Sequence, residues 1–69
     1  MVGADLIQEA KNVENLGIEM GGVGKAVSHL TKAIGEYKTA LKTNDENKIA
    51  EAAENLRNKM ENVSKAANM

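Results

Sequence analysis

A cluster of glycines beside a lysine is the stretch of this sequence that most suggests chemistry. In "LGIEMGGVGKAV", residues 16–27, four of the six glycines of the chain lie close together. A glycine-rich loop ending in lysine cradles phosphates when its spacing matches and serine or threonine follows the lysine. Here Glu19 stands where the first glycine of that pattern belongs, and Ala26 follows Lys25. The sequence therefore predicts no nucleotide-binding loop.

Residues that bind metals or transfer protons are sparse. His29 is the only histidine, there is no cysteine, and no glutamate is followed three residues later by histidine, as helical di-metal sites require. Glu51 and Glu54 have no apolar pocket that would adapt them to acid–base work. We expect His29 to be a surface side chain and Tyr37 a core residue. The sequence thus predicts a non-enzymatic protein without a metal or cofactor.

Large apolar residues recur at alternating intervals of four and three over most of the first 41 residues. This spacing predicts a first helix over 4–42 whose apolar stripe binds other helices. We call this stripe the association seam, and its members are Leu6, Val13, Leu16, Met20, Val23, Val27, Leu30, Ile34, Tyr37 and Leu41.

A second helix is predicted over 45–67, after a turn at Thr43, Asn44 and Asp45. Thr43 and Glu46 have the spacing of a capping box, in which two side chains bond the first backbone amides of a helix. The same four-and-three spacing gives the second helix an opposing stripe of Ile49, Ala53, Leu56, Met60, Val63 and Ala67. The predicted fold class is all-α, a single helical domain over 1–69 arranged as an antiparallel hairpin.

Gly17, Gly21, Gly22 and Gly24 lie off the seam, which keeps its phase through them. This favours a first helix that continues but is weakened, since each interior glycine costs about 1 kcal/mol relative to alanine. The glycines would then be a hinge or a site of close packing. The alternative is a three-helix bundle that is broken near 17–22, with helices over 4–16, 23–42 and 45–67.

The two arms of the predicted hairpin differ in length. A first arm of 39 residues would span about 58 Å and a second arm of 23 residues about 35 Å. The seam from Leu6 to Met20 would then lack a partner in its own chain. We therefore expect a self-associating protein, either a dimer or a filament subunit. A small chaperone or adaptor that binds another helical protein through the same seam is the alternative.

Charge and hydropathy exclude other classes of partner. Residues 1–22 carry four acids against one lysine, and residues 23–42 carry four lysines against one acid, within a net charge of −1. These complementary blocks could orient two helices against each other. The chain as a whole is slightly acidic and has no aromatic residues between its lysines, so it does not predict nucleic-acid binding. No apolar run is long enough to span a membrane. "MVGADLIQEAK" lacks the pattern of a cleaved signal peptide, so a cytoplasmic location and export without such a signal both stay open.

The segment "ALKTNDENKIAEAAENL" resembles the turn of type III secretion needle subunits, and "MGGVGKAV" is similar to the start of one branch of that family. The matching positions after the turn are Asp45, Ile49, Ala50, Glu51 and Leu56. The resemblance implies a helical hairpin that polymerises into a secretion filament, although this chain lacks the proline of the family's turn and has a shorter second helix. "EMGG" also resembles the end of a bacteriocin leader, which implies a membrane-active peptide as a more distant alternative.

Overall fold

The computed structural model describes residues 2–21 and 24–67, and their side chains from residue 5 onward. This part of the chain contains three helices, α1 (Val2–Glu19), α2 (Ala26–Thr43) and α3 (Glu46–Ala67), and no strand. The predicted all-α class is confirmed. The predicted second helix also matches α3, which begins one residue later and ends at the same residue.

Two adjacent residues form the tight turn between α2 and α3. Asn44 ends α2 in the left-handed region, with a φ of 57° that asparagine tolerates better than most residues. The Asp45 carboxylate accepts hydrogen bonds from the backbone amides of Asn47 (3.0 Å) and Lys48 (3.3 Å). These amides have no partner within the helix, so Asp45 is the N-cap of α3.

Thr43 has a different place from the one predicted by the capping-box spacing. It is the last residue of α2, and its hydroxyl donates to the Ala40 carbonyl (2.6 Å) and accepts from the Asp45 amide (3.1 Å). The hydroxyl therefore closes the end of α2 and does not cap α3. Of the predicted turn at 43–45, Asn44 and Asp45 lie between the helices, Thr43 belongs to α2, and Asp45 supplies the cap.

The first helix predicted over 4–42 is present as two helices. α1 ends at Glu19, and Gly21 follows with a φ of 92°, in the left-handed region that glycine adopts without strain. The Gly21 amide donates to the Ile18 carbonyl (3.0 Å), which is one of the two bonds of a Schellman helix end. Gly24 also has a positive φ, 66°. The four-and-three spacing failed to show this break because it fixes the phase of side chains and not the path of the backbone.

The core is apolar and draws on all three helices. It contains Leu6 and Ala10 of α1, Leu30, Ala33, Ile34 and Tyr37 of α2, and Leu56, Met60 and Val63 of α3. No polar or charged residue among those described is buried. The longest dimension of the chain is 36 Å, well below the roughly 58 Å of an unbroken first arm. The first part of the chain therefore packs beside α2 and α3 and does not extend beyond them.

Candidate association surface

The residues considered for chemistry do not come together. His29 is exposed on α2, Glu51 and Glu54 are exposed on α3, and Tyr37 lies in the core with 3% of its surface exposed. Within 2–21 and 24–67, no group of three or more acidic or histidine side chains could hold a metal ion. The expected positions of His29 and Tyr37, on the surface and in the core, are confirmed.

The seam residues of α2 and of α1 have different environments. Those of α2 face the core: Leu30, Ile34 and Tyr37 are buried, and Val27 and Leu41 are half-buried. In α1, Leu6 is buried and Val13 half-buried, but Leu16 and Met20 are exposed. Val23 lies outside the described residues. The seam is continuous in the sequence, but in the folded chain one part of it is buried in the core and another part is exposed.

The end of α1 carries the exposed large apolar side chains. Leu16 is 46% exposed, Ile18 57% and Met20 54%. Met20 directly follows α1, and its amide donates to the Leu16 carbonyl (3.1 Å), which continues the helical turn. At 100° per residue, Leu16 and Met20 therefore lie on one flank, one turn apart, and Ile18 lies about 200° around the helix from Leu16. Isolated exposed apolar residues are ordinary, so the informative feature is the pair on one flank.

That flank borders a groove between α1 and α3. The groove has a volume of about 300 Å³ and is lined by Leu6, Glu9, Val13, Arg57, Met60, Glu61 and Ser64. On the helical wheel, Leu16 and Met20 continue the Glu9–Val13 side of α1 beyond the groove. We call Val13, Leu16 and Met20 the open stripe. The groove itself is mixed, with Leu6, Val13 and Met60 beside charged Glu9, Arg57 and Glu61, and the open stripe extends its apolar part along α1.

The predicted glycines have separate roles. Gly17 is buried on the face of α1 that also carries Leu6 and Ala10. At Gly21 and Gly24 an added Cβ would meet no atom within 4 Å, so there is room for a side chain. Glycine is favoured at these two positions because of their positive φ. Gly22 lies outside the described residues. The structure thus separates a packing glycine from two glycines that turn the chain.

Both helix ends at this connection carry unfavourable charges. α1 ends at Glu19 and has no basic residue in its last turn. α2 begins after Lys25, has no acidic residue in its first turn, and has no side-chain cap. Helix dipoles favour the opposite arrangement, with cations near the C-terminus and anions near the N-terminus. The described helix ends at this connection therefore have fewer favourable local interactions than those at the turn between α2 and α3.

Sequence reasoning missed two features of α1. Ala10 is fully buried although it does not belong to the seam. Ile18, which also lies outside the seam, is a large apolar residue on the surface. The series Leu6, Ala10, Val13 and Gly17 keeps the four-and-three spacing, and it uses two small residues that a search for large apolar side chains passes over. Including alanine and glycine would have located the core face of α1 and left Leu16 and Met20 outside it.

No protein-family model, curated protein or solved structure matches this chain. No helix in the described part of the chain combines the length and the apolar character needed to cross a membrane.

Proposed function

We propose that this chain is a three-helix bundle whose function is to bind a second copy of itself through α1. The observation that carries the proposal is the exposure of Leu16 and Met20 on one flank of that helix, about half exposed each. Fully burying an exposed leucine or methionine side chain contributes about 1.5–3 kcal/mol, and covering the exposed half of each of these two would contribute roughly half of that.

Charge supports a homotypic partner over an unrelated one. α1 exposes Glu9 and Glu19, and α2 together with the residue before it exposes Lys25, Lys32 and Lys38. Two copies can therefore place the acidic helix of one against the basic helix of the other, which speeds encounter and sets orientation. A closed arrangement gives a dimer, and a head-to-tail arrangement that does not close gives a filament. The type III secretion needle subunits, which parts of the sequence resemble, form filaments.

Light scattering coupled to size exclusion, over a hundredfold range of concentration, tests the proposal. We expect mass to rise from the 7.4 kDa monomer as concentration increases. Met20→Asp should keep the protein monomeric, because a carboxylate would have to be buried without a partner. Ile18→Asp is the matched control, since Ile18 is equally exposed on the other flank and its substitution should leave association unchanged.

Two outcomes would contradict the proposal. A wild-type chain that stays monomeric at every concentration would mean that the open stripe binds no second copy, and a foreign helical partner would replace it as the hypothesis. An oligomer that survives Met20→Asp and is lost with Ile18→Asp would move the contact to the opposite flank of α1.

A further inference from the structure

We infer that two copies of this chain pair through α1 on both sides, antiparallel and about a two-fold axis, so that assembly stops at a dimer. Leu16 and Met20 of each copy form one apolar cluster at the axis. The inference rests on the proposed function, because it specifies the surface of the second copy and selects the closed arrangement over the open one.

The first observation is the distribution of exposed apolar surface. Among the described residues, the exposed large apolar side chains are Leu16, Ile18 and Met20, and all three belong to α1 or directly follow it. A head-to-tail contact joins two different surfaces, so it would need a second apolar surface to cover Leu16 and Met20. The described parts of α2 and α3 expose no large apolar side chain. A two-fold contact needs only one surface, because the same patch meets itself.

Ile18 does not supply the second surface. It lies about 200° around α1 from Leu16, and its neighbours on that flank, Lys11 and Asn15, are polar and exposed. A single apolar side chain among polar neighbours is ordinary for a protein surface. The open stripe is therefore the apolar flank that a second copy would cover.

Charge selects the antiparallel direction. A parallel pairing about a two-fold axis would set each residue of α1 against its own copy, including the exposed acids Glu9 and Glu19. Like charges that face each other across an interface are unfavourable. In an antiparallel pairing centred between Leu16 and Met20, the Glu9 side chain of each copy instead lies beyond the end of the other copy's α1. The two Glu9 carboxylates are then at opposite ends of the dimer.

The rim of the neighbouring groove supplies a complementary charge. Glu61 lines the groove, and Lys65 lies one turn further along α3, with its Nζ 2.9 Å from the Glu61 carboxylate. Val13 and Ser64 are the last residues of α1 and α3 that line this groove, so Lys65 is nearly level with Val13. The antiparallel pairing therefore brings Glu19 of each copy toward Lys65 of the other. The Lys65 side chain is 70% exposed and can reach an acid of a second copy.

The contact is small, so the dimer is weak and exchanges with the monomer. An apolar cluster of Leu16 and Met20 from two copies covers less than the roughly 800 Å² per partner of a typical stable interface. Contacts below that size are characteristic of transient association. We expect a dissociation constant on the order of 0.1 mM or higher.

A cross-linking experiment tests the pairing. Leu16→Cys and Ile18→Cys chains each carry one thiol, because the natural chain has no cysteine. Each variant is treated separately with a thiol-to-thiol cross-linker that spans less than 14 Å, the smallest dimension of the chain. Near a two-fold axis the two thiols of Leu16→Cys lie within reach of each other. This variant should form covalent dimers at least about tenfold faster than Ile18→Cys, because a shared contact raises the effective concentration of the thiols.

Light scattering gives a second readout that needs no cysteine. At concentrations up to about 1 mM, the mass should level off at twice 7.4 kDa. Lys65→Glu should weaken association by about three- to tenfold at low salt, because Glu19 of the other copy then faces an acid. Lys59→Glu is the matched control, since it changes net charge equally and lies in the groove between α2 and α3.

The outcomes separate the two-fold pairing from association itself. A mass that keeps growing beyond two copies would overturn the pairing and leave the proposed self-association in place. A dimer in which Leu16→Cys links no faster than Ile18→Cys would overturn the pairing in the same way. Equal dissociation constants for Lys65→Glu and Lys59→Glu would overturn the antiparallel direction. A wild-type chain that stays monomeric up to about 1 mM would overturn both the pairing and the proposed function.

Discussion

The Thr31 hydroxyl of α2 donates a hydrogen bond to the Glu14 carboxylate of α1, at the edge of the packing between the two helices. Both partners are on the surface side of the contact, so water competes for the same groups. The bond therefore contributes little to the stability of the contact, and its main effect is to favour one alignment of α1 along α2. Burial of Leu6 and Ala10, with Ile7 and Val13 packed against the core, supplies the apolar part of the attachment.

A double-mutant cycle measures this bond. Glu14→Ala and Thr31→Val each remove it, and we expect a coupling free energy of about 0.5–1 kcal/mol in urea unfolding, because bonds near water contribute modestly. Measurement at micromolar or lower concentration limits any contribution from association. A coupling near zero would mean that the two side chains bond water in solution.

Asp45 is expected to contribute measurable stability as the cap of α3. Asp45→Ala removes the acceptor for the amides of Asn47 and Lys48, and should lower the free energy of unfolding by about 1 kcal/mol. Asp45→Asn keeps an oxygen acceptor and should retain most of the stability. Equal losses for both variants would show that the charge, and not the hydrogen bonds, carries the effect.

Asn44 tests the left-handed residue of the same turn. Its φ of 57° is strained for alanine and free of strain for glycine. We expect Asn44→Ala to lower the free energy of unfolding by about 1 kcal/mol and Asn44→Gly to leave it nearly unchanged. Thermal unfolding of the two variants side by side gives the comparison. A glycine variant as unstable as the alanine variant would point to a role for the amide side chain.

Leu56 and Leu16 form a matched pair of leucines in opposite environments. Leu56 has no exposed surface, so Leu56→Ala should lower the free energy of unfolding by about 2–5 kcal/mol through lost burial and a cavity. Leu16 is nearly half exposed, and Leu16→Ala should change monomer stability by less than about 1 kcal/mol. The order of the two effects would reverse only if the core were centred on α1.

Lys25 should influence the stability of the chain through its position at the start of α2. Lys25→Asp places a favourable charge beside the first turn of α2 and should stabilise the closed chain by about 0.3–1 kcal/mol at low salt. Urea unfolding at low salt measures the change in the free energy of unfolding. Lys32→Asp is the control, since it alters net charge equally but lies beyond the first turn. High salt should reduce the effect.

The sequence was informative where side-chain periodicity and local caps determine the structure. The stripe on α3 and the core positions Leu30, Ile34 and Tyr37 follow from spacing alone, because these helices bury one continuous face. The break after Glu19 does not follow, since a seam that keeps its phase is compatible with a straight helix and with a folded one. The folded arrangement forms when the free energy gained by burying Leu6 and Ala10 against α2 and α3 exceeds the cost of interrupting the helix.

The candidate surface was harder to derive for the same reason. Leu16 and Met20 belong to the seam by spacing, but α1 uses Ala10 and Gly17 on its core face. Small residues allow a close approach of helices, and they rotate α1 away from the face that its larger residues would select. A periodicity search that is weighted by side-chain volume therefore finds the helix and part of its core face, Leu6 and Val13, but adds Leu16 and Met20, which lie outside the core.

The two-residue turn between α2 and α3 has a consequence for how the chain folds. Contacts across this turn join residues that are near in sequence, so a hairpin of α2 and α3 should form early, and α1 should dock in a later step. In native-state hydrogen exchange, the amides of α1 should exchange through a partial opening of lower free energy than global unfolding.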